Sequence, residues 1–409
     1  MLRHLGWAVV LLSVLGWAQS KDAAKAPADG GGAEAADAAA FPPVVLRFPL
    51  QADSAVTLQQ FNGSVPSETK CDSEGNVYGG FVAGSANAIT RISADGSEAT
   101  SFSVSAVPDL APNSSPAAPN STPPTIAEFA VGTDGSVYLL VLMKRPDTNA
   151  ASTTAPPVNP RRVDPGNFEY HVISFDPDGK YHSQFKLDAG LAPNRIAVFS
   201  SGDLMLSGME PDPEDDDHRV PFAGVFDSSG RFMKEITMPR DLRSPDGAKN
   251  ESVGQNQPSG GRWGRRNSFS VVGSAQGADD GNVYLLPNTA GAPVYVLSPG
   301  GEIVRTIKLD SKVNERLGMS VAAGRLIAWS QHMEPRRFQR VASAPPPAPT
   351  TAGANDSLFS IFNLQTGELA AEYSASQDLG TFACYSTNGF TFLRLDQAHH
   401  LQVVTASPH

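Results

Sequence analysis

The chain has 409 residues, 33 of them Pro and 37 Gly, and a formal net charge of -11. That acidic balance supplies no positive field to draw phosphates, which excludes general nucleic-acid binding. No segment carries a sustained helical period of apolar residues, so the Pro and Gly content points to a turn-rich all-β protein rather than a helical bundle.

Residues 1–20 have the form of a secretory signal peptide. Arg3 and His4 give a short positive region, 5–17 an apolar stretch, and Ala18-Gln19-Ser20 a small-x-small cleavage site. The apolar run is too short to span a bilayer. No cysteine follows the cleavage site to carry a lipid, and no later stretch reaches membrane-spanning length. The expectation is export to a periplasmic or extracellular space with no transmembrane segment. Residues 21–41, rich in Ala, Gly and Asp, read as a flexible lead-in. Residues 42–409 read as one domain.

That domain opens with a lone strand at 44–50. Then a unit recurs, in which a short apolar strand enters a Gly-centred turn and leaves as a second strand. The turns are Ser73-Glu74-Gly75, Thr133-Asp134-Gly135, Ser201-Gly202, Asp280-Gly281, Ala323-Gly324 and Asn388-Gly389. Five of them are followed by a second turn of the same kind, ending at Gly96, Gly179, Gly230, Gly301 and Gly367. Glycine belongs there because a tight hairpin needs positive φ, which only Gly adopts at little cost. Two consecutive hairpins make a four-stranded antiparallel sheet, the blade of a propeller. The last unit supplies only three strands, at 382–386, 390–396 and 401–407. The expected fold is therefore an all-β, six-bladed β-propeller whose last blade is closed by the N-terminal strand.

The repeats resemble those of NHL-type six-bladed propellers. The residues that carry the resemblance are Glu74-Gly75-Asn76-Val77-Tyr78, Asp134-Gly135-Ser136-Val137-Tyr138 and Asp280-Gly281-Asn282-Val283-Tyr284, and in the second half-repeat Phe175-Asp176-Pro177-Asp178-Gly179 and Phe226-Asp227-Ser228-Ser229-Gly230. The resemblance implies a propeller serving as a binding scaffold, a lyase or a lactone hydrolase. No histidine or carboxylate motif of such enzymes maps onto this chain.

First-turn glycines lie 60, 67, 79, 43 and 65 residues apart, whereas a bare blade needs about 40 to 45. The surplus falls at 107–125, 144–168, 208–220, 240–266 and 332–356. Each is placed between blades or between the second and third strands of one, so all emerge on the face opposite the Gly turns. Insertions gathered on one face mark a binding face, or are padding of no function.

Several residues are candidates for chemistry. Cys71 and Cys384 lie in the innermost strands of the first and last units, which become neighbours on closure. They form a disulfide across the seam or remain two buried thiols. Glu68, Glu128 and Arg195 stand seven residues before their turn glycines, at the channel mouth on the elaborated face. They either bind a polar ligand or share a proton, or pair as ions between blades, and the second reading is preferred. The run 210–218 (Glu210, Asp212, Glu214, Asp215, Asp216, Asp217, His218) offers hard oxygens for calcium but lacks the alternating ligands of a known calcium loop, so a solvated charge block competes with it. Arg262, Trp263, Arg265 and Arg266, with Arg240 and Arg243 ahead and Arg161, Arg162, Arg336 and Arg337 in other inserts, suit an anionic glycan or acidic partner, against the same reading as solvated loops. No His pair has metal-ligand spacing and no nucleophile elbow appears.

The sequence thus reads as an exported, non-catalytic propeller that binds a protein or glycan through its insert-bearing face and needs no cofactor. The alternatives are a lyase or lactone hydrolase using Glu68, Glu128 or His399-His400 at the channel mouth, and a purely structural envelope or matrix protein.

Overall fold

A computed structural model describes residues 47–62, 65–66, 68–81, 87–108, 110, 124–144, 168–212, 215–237, 272–287, 292–309, 318–331 and 357–408. The leader, the lead-in and the inserts 240–266 and 332–356 lie outside these residues. So do Arg161, Arg162, Arg262, Trp263, Arg265, Arg336 and Arg337, and the expectations that fall on them.

The described chain is all-β apart from the single 3-10 turns Val104–Ala106 and Gln377–Leu379. It opens with β1 (Arg47–Asn62). Four antiparallel sheets of four strands follow in chain order. The first is β2 (Thr69–Cys71), β3 (Val77–Gly79), β4 (Ala88–Ile92) and β5 (Ala99–Ser103). The second is β6 (Thr125–Val131), β7 (Val137–Lys144), β8 (Phe168–Phe175) and β9 (Tyr181–Lys186). The third is β10 (Ala192–Val198), β11 (Leu204–Asp212), β12 (Asp215–Phe226) and β13 (Phe232–Glu235). The fourth is β14 (Val272–Gly277), β15 (Val283–Pro287), β16 (Val294–Leu297) and β17 (Ile303–Ile307).

The remaining strands are β18 (Gly318–Ala322), β19 (Arg325–Gln331), β20 (Ser357–Asn363), β21 (Leu369–Ala375), β22 (Thr381–Ser386), β23 (Gly389–Leu395) and β24 (His400–Pro408). With β1 they form one eight-stranded sheet in the order β18-β19-β20-β21-β1-β24-β23-β22. Separate blades were expected here. The sheet is continuous because β1 pairs on both sides: Arg47, Phe48 and Pro49 run parallel to β21, and Leu50 onward runs antiparallel to β24.

The sheets are arranged as a propeller. Innermost strands touch in a closed cycle: β2 meets β6, β6 meets β10, β10 meets β14, β14 meets β18, β18 meets β22, and β22 meets β2. Residues at the ends of four of them, Cys71, Val131, Gly277 and Ala322, share a small cavity of about 30 Å³.

The apolar runs explain this packing. Strand β7 buries both faces, each against a different neighbour. Val137, Leu139 and Val141 pack with Tyr78 and Phe102 of the first sheet, and Leu140 packs with Ile196 and Leu206 of the third. A strand buried on both faces reads as a continuous hydrophobic run rather than an alternation. Further clusters join the third sheet to the fourth and the fourth to β18–β21. Phe359, Phe390 and Phe392 knit β18–β21 to β22–β24 with Leu50. Leu58, Leu393 and Leu401 meet Val77 and Ile92 of the first sheet. Each such fully buried side chain contributes about 1.5–3 kcal/mol of apolar transfer.

All eleven glycines of the repeated turns have positive φ, between 68° and 98°. Two expectations about boundaries are corrected. The N-terminal strand does not end at 50 but continues to Asn62. Residues 208–220 are not a loop insert: Gly208 pairs with Phe222, Glu210 with Val220 and Pro211 with Arg219, so the β11–β12 hairpin grows outward past the blade. The acidic run at 210–218 is carried on that hairpin. Also, Val107, placed in an insert, is fully buried against the second sheet. No helix among the described residues is long and apolar enough to cross a membrane.

Candidate functional site

Four inner strands carry a β-bulge near their start. In β6, Ile126 pairs with Val141 and Glu128 with Leu140, leaving Ala127 unmatched. Strand β10 leaves Asn194 unmatched, β14 leaves Gly273 and β22 leaves Ala383. A bulge re-aims the side chain that follows it and frees backbone groups from the ladder. In β6 and β10 the residues that follow are Glu128 and Arg195.

The freed carbonyls and re-aimed side chains meet across the seams. Thr69 Oγ1 donates to Ala383 O at 3.2 Å. Lys70 Nζ donates to Glu128 Oε1 at 2.7 Å and to the Phe129 carbonyl, and lies 5.0 Å from the centre of the Phe129 ring. Arg195 Nη1 donates to Glu128 Oε2 at 3.3 Å and to Asn194 O at 2.7 Å, while its Nε reaches Val272 O and Gly273 O at 3.0 and 3.3 Å. Gln276 then bonds both backbone groups of Val321 in β18. The result is a polar belt that stitches consecutive inner strands together.

Glu68, Glu128 and Arg195 are thus brought into one cluster, and Lys70 joins them. Residue type alone does not single out Lys70, since one lysine in a strand is indistinguishable from a solvated one. The usable signal was its place two residues after Glu68, on the same strand face.

Glu128 is the anchor, with only 2% of its side chain exposed. Burial, the largest single influence, pushes its carboxyl up. Lys70, a hydrogen bond from Glu68 and Arg195 together outweigh that and hold it below the ordinary carboxylate range. Glu68 goes the other way, up to about 8, first through burial of the carboxyl and then through its hydrogen bond to Glu128. Glu68 is therefore the more readily protonated of the two carboxyls, and with 45% of its side chain exposed it is open to water.

A pH dependence follows. A carboxyl whose folded value is raised from 4.5 to about 8 binds more protons folded than unfolded between those limits, so stability falls as pH rises through that window. Glu68→Gln should remove this fall. Denaturant midpoints across pH 4.5 to 8 that decline as steeply in the variant as in the parent would contradict it.

The other candidates lie elsewhere. Cys71 and Cys384 are joined as a disulfide with Cα atoms 5.9 Å apart, across the seam between β2 and β22. His171 Nε2 stands 3.7 Å from Glu169, and His182 Nδ1 3.5 Å from Asp176. His399 closes the β23–β24 turn with φ of 64°, and His400 Nδ1 is 3.4 Å from Asp396 in that same turn. Neither is bonded to the Glu68–Glu128 cluster. Among the described residues no three His, Cys, Asp or Glu side chains gather round a common point; the side chains at 213–218 lie outside them.

No protein-family model and no curated protein matches the chain. Among solved structures it is similar to the WD40 domain of Pan2 from Neurospora crassa, at 9% identity over 90% of this chain and 98% of that one, TM-score 0.37. It is similar to the PQQ-bound aldose sugar dehydrogenase from Streptomyces coelicolor at 12% identity, 88% and 99% coverage and TM-score 0.37. A member of the DUF4221 family from Bacteroides vulgatus gives 8% identity, 88% and 98% coverage and TM-score 0.48. Likeness at this level carries nothing about ligand or activity, and the propeller arrangement stands on the strand order of the chain itself.

Proposed function

We propose that the chain is a six-bladed propeller of the NHL type, exported, that acts as a non-catalytic scaffold and binds a protein or glycan on the face where its inner strands begin. The closed cycle of six inner strands supports the blade count, with the eight-stranded sheet read as two blades that β1 straps together.

The observation that carries the binding reading is an asymmetry of connections. On the face of the Gly turns, strands are joined by two to six residues. On the other face β7 ends at Lys144 and β8 begins at Phe168, β13 ends at Glu235 and β14 begins at Val272, and β19 ends at Gln331 and β20 begins at Ser357. A rigid ring presenting long connections on one face is the usual build of a recognition surface. The net charge of -11 favours a partner other than nucleic acid.

The test is a pull-down from the native envelope and medium with residues 21–409 as bait, beside a variant lacking 240–266 and 332–356. A partner retained by the first and lost by the second is the expected result, with Arg262, Trp263 and Arg265 as the next substitutions. Equal retention, or none, would defeat it. The clustering of Glu68 with Glu128, Lys70 and Arg195 favours one runner-up, a lyase or lactone hydrolase with Glu68 as general acid. Turnover that Glu68→Gln abolishes while folding persists would replace the scaffold reading.

A further inference from the structure

The opposite face, trimmed to short turns, holds a cleft of about 650 Å³ between the fourth sheet and the strands β18–β21. Its origin is a difference in turn length. The first hairpins of sheets one to four turn through five residues, 72–76, 132–136, 199–203 and 278–282, whereas β18 and β19 are joined by Ala323 and Gly324 alone. In two of these sheets the longer turn lies against the tyrosine of the preceding sheet. A Cβ at Gly135 would stand 3.8 Å from the Tyr78 hydroxyl, and one at Gly202 3.8 Å from the Tyr138 hydroxyl. At Gly324 a Cβ would meet nothing within 4 Å. The shortened hairpin leaves space open over Asp280 and Arg305, while Tyr284 beneath them stays fully buried.

Polar groups fix the floor of that space. Tyr284 donates to Asp280 Oδ2 at 2.6 Å, Arg305 Nη2 donates to the Tyr284 oxygen at 3.2 Å, and Arg305 Nη1 donates to Gln365 O at 3.1 Å, tying the two sheets together. Asp279, Arg325 and Asn363 complete the polar lining, and Val321 and Leu364 add apolar surface. Ala323, on the lip, holds φ of 50° without being glycine, a conformation L side chains rarely adopt.

We propose that this cleft binds a small carboxylate-bearing sugar, a uronate or short oligo-uronide. Two guanidiniums on adjacent walls suit a planar carboxylate. Asp279 and the Asn363 amide suit ring hydroxyls. Two arginines against two aspartates leave the cleft neutral, so a monoanion is held by direct guanidinium pairing rather than by net charge, and a phosphate dianion beside Asp279 and Asp280 is disfavoured. The volume lies within the range of small-ligand sites. The cleft is on the face away from the long connections, so it stands or falls separately from the scaffold reading.

The experiment is calorimetric titration of residues 21–409 with galacturonate, glucuronate and a galacturonate trimer, with galactose and glucose 6-phosphate as controls. Saturable binding of at least one uronate is expected, about 10-fold or more tighter than either control. Arg325→Ala and Asp279→Asn, both exposed positions, should each weaken it about 10-fold without moving the melting temperature, and Arg325→Lys should recover part of the loss. Absence of uronate binding up to about 10 mM, glucose 6-phosphate binding as tightly, or indifference to both substitutions would each overturn the proposal.

Discussion

Glu128→Ala is expected to lower folding stability by about 3 kcal/mol, although no apolar contact of comparable size is lost. The reason lies in what remains. Glu128 is buried between Lys70 Nζ at 2.7 Å and Arg195 Nη1 at 3.3 Å, and its removal strips both cations of the carboxylate they share, leaving only the partly exposed Glu68 beside Lys70. Truncating one partner of a buried pair typically costs 3–5 kcal/mol. The lower end applies because Lys70 and Arg195 keep 20% and 36% of their side chains exposed and recover some hydration. The pH profile gives a second readout. Glu128 is held below its ordinary value of 4.5, so its contribution is present above that pH and is lost as pH falls through its folded value. The alanine variant should therefore have a flatter acid limb. Equilibrium denaturation showing a loss under about 0.5 kcal/mol would mean the belt is ornamental to the fold.

The disulfide should matter at least as much. Cys71 and Cys384 are 313 residues apart in sequence, and the loop-entropy relation puts the constraint on the unfolded chain at roughly 5–6 kcal/mol for such a length. Measured bridges deliver less than this relation, so replacing both cysteines by serine is expected to cost about 4 kcal/mol. Unfolding of the parent in reductant should shift to match the double variant. A difference under about 1 kcal/mol between oxidised and reduced protein would show that the seam is held by Leu58, Leu393 and Leu401 against Val77 and Ile92 rather than by the bond.

What the sequence disclosed and what it hid follow one physical line. The turn glycines were legible because positive φ has a residue-specific cost, and each one was found in that conformation. The second half of β1 was not. As an outermost strand it buries only Leu50, Leu58 and Phe61 among solvent-facing Gln, Asp, Ser and Thr, so its hydrophobic period is too sparse to read. The acidic hairpin at 210–218 was hidden for a related reason. Its pairing extends past the core, where ladder bonds rather than burial hold the strands, and composition there resembles a loop. Glu68, Glu128 and Arg195 were picked out by their constant distance from the turn glycines. The bulges at Ala127 and Asn194 that aim Glu128 and Arg195 leave no signature in residue type, and neither does the reach of Lys70. The cleft lined by Arg305 and Arg325 had a trace in the short spacing of Gly281 and Gly324, but the space a short turn leaves shows only once its neighbours are in place.

The pairing of β1 with β24 sets an order of events during biosynthesis. Strand β1 leaves the ribosome before every other described strand, and the residues of its main partner, 400–408, leave after them all. Throughout translation the growing chain therefore carries an unpaired first strand and a sheet edge waiting for it, the form most open to pairing with another chain. The Cys71–Cys384 bond is under the same schedule, because one partner exists for nearly the whole of synthesis before the other does. Loss of 400–408 would thus cost more than one strand, since it would remove the seat of β1 as well.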